Sequence, residues 1–258
     1  MKKIIYSAIL AFGFLNANIY GCFTRITYRL DQEAVKKSTL FKDGVSFTEM
    51  EQSVRKKHSN IPSILLVDTM VDGLFGQDTG MDAAFIPQDK MIWASRATAS
   101  THNSKAFEWA MLHETGHAQQ PNNMPAIQGA VGITQLLTGY YWGMHKAKPY
   151  KNLLTKLGSK TFAAMLAGSV VGSTLMKAEE RRADNWANSV ADKQALLGGI
   201  EYFDCFRSKL QDQWSGYKIG SIVPFSVGKY LMSPLHPNVD SRIAKIKTAL
   251  KARFGVEA

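Results

Sequence analysis

Lys2 and Lys3 precede an uncharged apolar run, Ile4 to Leu15, at the start of the chain. A basic segment followed by an apolar one is the order of a secretory export signal. Cleavage near Ala17, a lipobox ending at Cys22 (Ile19-Tyr20-Gly21-Cys22) and an uncleaved anchor all fit. Ile4 to Gly21 falls just short of the roughly 20 residues that span a bilayer. Each reading places the remainder outside the cytoplasm or facing out. Residues 24–60 are polar and lysine-rich with scattered apolar positions, which predicts a helix or two ahead of the core. Ser63 to Val67 (S-I-L-L-V) predicts a strand, and Ala84 to Trp93 two short strands around a turn at Pro87-Gln88-Asp89, a hairpin or sheet edge. From Lys105 to Gln119, Phe107, Ala110, Met111 and Leu112 recur at helical spacing. Asn103 or Ser104 serves as N-cap, and Pro121 lies just beyond the end.

Two uncharged stretches follow, Pro121 to Met144 and Thr161 to Met176, with Lys146, Lys148, Lys151, Lys156 and Lys160 between them. They form either buried core helices or a hairpin in or on a membrane. In the second case the lysine loop is cytoplasmic and Gly168 and Gly172 make a small-residue contact. Further helices are predicted from Lys177 to about Leu197, from Glu201 to Leu210, and from Ser241 to Phe254, the last one basic. No internal repeat or low-complexity linker is present.

Composition narrows the class. The 258 residues, 45% of them hydrophobic, suffice for a proper core and exclude a disordered or fibrous chain. Lys and Arg number 31 against 21 Asp and Glu, a net charge of +10 that favours anionic surfaces, membranes included. The basic patches lack the interleaved aromatics of nucleic-acid modules, so nucleic-acid binding is rejected as a main function. Two cysteines, Cys22 and Cys205, allow at most one bridge and no all-cysteine zinc site. Cys205 lies between Asp204 and Phe206 without a partnering base, which predicts a buried thiol, or a bridge to Cys22 where Cys22 is not lipidated.

The chemistry centres on His113-Glu114-Thr115-Gly116-His117, an H-E-x-x-H motif on the predicted helix. Residues four apart share a helix face, so His113 and His117 can turn their imidazoles to one zinc ion while Glu114 reaches a water held there. A third ligand is needed. The metzincin continuation is excluded by Gln120 and Asn123, and no Asp or Glu occurs from Ala118 to Ala178. The first carboxylates open Glu179-Glu180-Arg181-Arg182-Ala183-Asp184. Glu180 and Asp184 stand one helical turn apart, so Glu180 can ligate while Asp184 accepts a hydrogen bond from a ligating imidazole. His145, alone among lysines, is the alternative ligand.

Together these motifs resemble those of the M48 zinc metallopeptidases, the group of the CAAX prenyl proteases and the bacterial heat-shock membrane protease. The resemblance is carried by H-E-T-G-H, by E-R-R-A-D and by His236-Pro237-Asn238-Val239-Asp240-Ser241-Arg242. It is also carried by Asp82-Ala83-Ala84-Phe85, similar to the family's N-A-F strand with Asp82 in place of Asn. It covers roughly Met81 to Lys247 and implies a mainly α-helical, zincin-like α+β fold with a small sheet. The chain then divides into a signal or anchor (1–21), a lead-in (22–80) and a peptidase domain (81–258).

The resemblance further implies peptide-bond hydrolysis, one zinc ion held by His113, His117 and Glu180, and Glu114 as general base. Asp184 orients a ligand. His236 is either a donor to the oxyanion or a fourth ligand that blocks the site, unless it is simply a turn residue before Pro237. Arg242 either ties its segment to Asp184 or Asp240 or faces solvent. The strand Ala84 to Trp93 can take on a peptide substrate as an added strand, or be a plain core strand. The expectation is an exported, periplasmic or membrane-anchored metalloendopeptidase acting on envelope proteins, with an anionic membrane surface as a further partner. Its rival is a non-catalytic envelope assembly factor that keeps zinc for structure.

Overall fold

A computed structural model of the chain describes residues 31–68, 83–86, 89–119, 174–216 and 237–257. The signal segment with Cys22, the stretch Pro121 to Met144, most of Thr161 to Met176, His145, Asp82 and His236 lie outside the described residues. The chain partitions into two compact units, residues 1–22 with 121–178 and residues 23–120 with 179–258. All the site residues treated below belong to the second.

The lead-in forms two helices, α1 (Gln32–Ser38) and α2 (Phe47–Lys57). Asp31 caps α1 by accepting from Glu33 N and Ala34 N, and Ser46 opens α2 with a reciprocal capping box to Glu49. The buried face of α2, Phe47, Met50 and Val54, follows helical spacing. Phe47 joins Phe41 and Phe107 in a triangle of rings with centroids 5.7, 5.3 and 5.8 Å apart.

The three strands form one mixed sheet in the order β1-β3-β2, from β1 (Ser63–Val67), β2 (Ala83–Ile86) and β3 (Met91–Ser95). β2 and β3 are antiparallel, with Ala83 opposite Ala94, as the predicted hairpin requires. β1 runs parallel to β3, with Ser63 opposite Met91. The outer edge of β1 is closed by a side chain: Gln32 accepts from Leu66 N at 2.9 Å and donates to its carbonyl at 3.1 Å. Among the described strands β2 forms the opposite edge. A short turn of helix, α3 (Arg96–Ala99), leads to the motif helix α4 (Ser104–Ala118).

Asn103 holds the N-cap position of α4, but its side chain makes no cap bond and donates to Glu201 Oε1 instead. Asp43 takes over, accepting from Ser104 N at 3.0 Å and from its hydroxyl at 2.7 Å. Glu108 on α4 is 1% exposed and lies between two ammonium groups, Lys57 at 2.8 Å and Lys105 at 2.6 Å.

One boundary differs from the expected helices at Lys177–Leu197 and Glu201–Leu210. A helix over 174–190, α5, stops earlier, and α6 runs unbroken over Lys193–Gly216. Asp192 makes the break, because its carboxylate accepts from Ala195 N at 2.8 Å and so caps a new helix. Gly198 and Gly199 lie inside α6 for a packing reason. A Cβ on Gly198 would overlap the Lys105 backbone, and one on Gly199 would fall 2.7 Å from the Trp109 ring. They let α6 lie close on α4. The final helix, α7 (Val239–Phe254), is capped by Asn238 and ended by Gly255 at φ 67°. It buries Arg242, Ile243, Ile246 and Leu250. The described fold is mainly helical with a small sheet, as expected. Cys205 is half-buried, not fully buried, and is a free thiol. Among the described residues no helix is long and apolar enough to cross a membrane.

Candidate metal centre

The four-residue spacing on α4 brings the two imidazoles together. His113 Nε2 and His117 Nε2 are 3.2 Å apart. Glu180, buried on α5, completes a triangle, with Oε2 3.4 Å from His113 Nε2 and Oε1 3.3 Å from His117 Nε2. The close approach of α5 depends on Gly116, where a Cβ would sit 2.8 Å from Ala183 Cα. Two imidazole nitrogens and a carboxylate thus lie together, with one ligand atom of each side chain within 4.8 Å of the others. Two ligands about 2.0–2.1 Å from one ion at the tetrahedral angle stand about 3.3–3.4 Å apart, so the spacing suits a small tetrahedral cation.

Each imidazole must present a bare nitrogen to a metal, and the surroundings arrange this for His113. Its Nδ1 donates to Asp184 Oδ1 at 2.9 Å, which leaves Nε2 without a proton in the neutral ring. Trp109, four residues earlier on α4, stacks on the ring at 5.6 Å and bonds Asn188 Oδ1 through its indole N–H. Burial disfavours the charged ring of His113, but Asp184 and Glu180 outweigh it and push its pKa up to about 10. In the metal-free pocket the negative charge therefore attracts a proton. Burial also works against the Asp184 carboxylate, yet Arg242 foremost and then His113 hold its pKa below the usual carboxylate value. His117 Nδ1 is buried with no hydrogen-bond partner among the described residues.

Glu114 stands beside the donor triangle and outside it, its Oε1 3.9 Å from His113 Nε2. Its other oxygen accepts the Phe85 peptide N–H at 2.7 Å. The edge strand β2 therefore holds this carboxylate from the side opposite β3.

The structure brings together His113, Glu114, His117, Glu180 and Asp184 as the sequence placed them. Of the alternatives open for Arg242, it adopts the tie to Asp184: it is buried and makes a two-pronged contact, Nε to Oδ2 at 2.9 Å and Nη2 to Oδ1 at 2.6 Å. Trp109 and the Phe85 peptide escaped the sequence reading. For Trp109 a signal existed, since it precedes His113 by one helical turn, whereas a backbone N–H leaves none. The chain matches no protein-family profile, no curated protein and no solved structure.

Proposed function

We propose that this chain is a zinc-dependent peptidase. The observation that carries the reading is a second carboxylate, Glu114, whose Oε1 stands 3.9 Å from His113 Nε2 of the three-residue site without joining it. Structural zinc sites close with four protein ligands, while hydrolytic ones use three and keep a position open beside a base. Two imidazoles and one carboxylate favour zinc over magnesium or calcium, which take oxygen ligands. Charge agrees: Glu114, Glu180 and Asp184 against Arg242 leave two negative charges in excess, which one divalent cation balances.

A zinc ion held by His113, His117 and Glu180 would supply Lewis acidity, acidifying a water and polarising a peptide carbonyl. Glu114 accepts the proton through Oε1, while Phe85 N–H steadies Oε2, and then passes it to the leaving amine. The outer edge of β2 receives an extended peptide as an added strand through its backbone groups other than the Phe85 N–H, which stays with Glu114. The M48-like motifs, in the family's order, support the same chemistry. The export signal and the basic excess support an envelope location, with protein substrates at an anionic membrane surface.

The test measures zinc content and cleavage of an unfolded casein-type substrate, for wild type and Glu114→Gln. The expected result is about one zinc per chain in both proteins and at least about 100-fold slower cleavage by the variant. A wild-type protein that takes up no zinc, or equal cleavage by both, would overturn the proposal. Zinc without cleavage by either would point to a structural site.

A further inference from the structure

Arg242 comes from α7, remote in sequence from the motif helix, yet it is 8% exposed and engaged on several sides. Its fork grips both Asp184 oxygens, and its Cζ lies 4.3 Å over the Phe203 ring. The same Nη2 that bonds Asp184 stands 3.4 Å from His113 Nδ1 and 3.7 Å from Glu180 Oε2.

His113 Nδ1 therefore faces two partners with opposite demands. Asp184 only accepts and needs a proton on Nδ1, whereas Arg242 only donates and needs a bare Nδ1. A neutral imidazole carries one proton. In the first arrangement Nε2 is bare and free to ligate, and in the second Nε2 carries the hydrogen and is blocked. Asp184 is closer, at 2.9 Å against 3.4 Å. It is held in place by the bidentate grip of the very arginine that would otherwise compete.

We propose that Arg242 is a positioning residue of the metal centre. By clamping Asp184 it keeps the His113 proton on Nδ1, so that Nε2 faces the metal. Arg242 then helps only while Asp184 is present; without Asp184 it donates to Nδ1 and selects the wrong tautomer. Docking of α7 and metal affinity are coupled through this one side chain. The inference rests on the metal-centre reading.

The experiment measures zinc affinity by chelator competition, and the visible spectrum of the cobalt-loaded protein as a readout of ligand geometry. The proteins are wild type and His113→Ala, Arg242→Lys, Arg242→Gln, Asp184→Asn and Asp184→Asn/Arg242→Gln. The Arg242 variants should bind zinc about 10- to 100-fold more weakly, the range for groups that orient metal ligands, with altered cobalt spectra. Lysine, which keeps the charge without the fork, should lose less than glutamine, and it carries the test if Arg242→Gln does not fold. Asp184→Asn should lose more, and adding Arg242→Gln should recover part of that loss in zinc affinity and return the cobalt spectrum towards that of wild type. Arg242 variants within about twofold of wild type with unchanged spectra, or a double variant no tighter than Asp184→Asn, would overturn this inference alone. A wild type that binds no zinc, or whose binding survives His113→Ala, would overturn the metal-centre reading and this inference with it.

Discussion

Residue by residue, the site depends on contacts with no slack. Gly116 occupies one of the two unspecified places in the H-E-x-x-H motif, yet a Cβ there would meet the Ala183 backbone at 2.8 Å, and its oxygen at 2.9 Å. Alanine gains up to about 1 kcal/mol in helix propensity. A clash with backbone atoms cannot be relieved by a rotamer change, so the overpacking cost of about 1–3 kcal/mol prevails. Gly116→Ala should therefore lower the denaturant midpoint of the metal-free protein, and weaken zinc binding by moving Glu180 away from the imidazoles. The ligand pair was legible in the sequence because four-residue spacing on a helix fixes which side chains meet. Glu180 and Asp184 were legible because they belong to the first acidic run after the motif and stand one helical turn apart. What could not be read was whether Arg242 met Asp184, Asp240 or solvent, since that depends on how α7 docks.

Elements were legible where periodicity acts within a single segment. β1, the β2–β3 hairpin and α4 stand close to where the alternation and the apolar spacing place them. The break expected between Leu197 and Glu201 falls instead at Asp192, which caps α6, while Gly198 and Gly199 pack within that helix against Lys105 and Trp109. Asp192 does more than cap α6, for it also pairs with Lys57 of α2 at 2.7 Å. Burial works to raise its pKa, but the Lys57 bond first and the Ala195 peptide next bring it below the ordinary aspartate value. The stability this confers is present above about pH 4, the unfolded value, and is lost as the pH falls towards the folded value. Asp192→Asn retains the cap and removes the ion pair. The variant should be less stable than wild type at pH 7, and the two should converge as thermal melts are followed down through pH 4.

For the whole molecule, the reading predicts that zinc stabilises the folded chain, because a site assembled from separate segments exists only after folding. Zinc in excess should raise the melting temperature, by an amount equivalent to about 4 kcal/mol at a thousand times the dissociation constant. Chelation should reverse the rise, and His113→Ala should abolish it; calorimetry with and without zinc measures both. The order of those segments carries a further consequence, one of timing. His113 and His117 come first, then Glu180 and Asp184, and Arg242 well after them. A chain that emerges from the ribosome or a translocation pore amino end first holds two histidines with no third ligand, then three ligands with no clamp. On the proposed reading the ligands thus precede their clamp, and the pocket reaches its full hold on the metal only after Arg242 has followed them and docked.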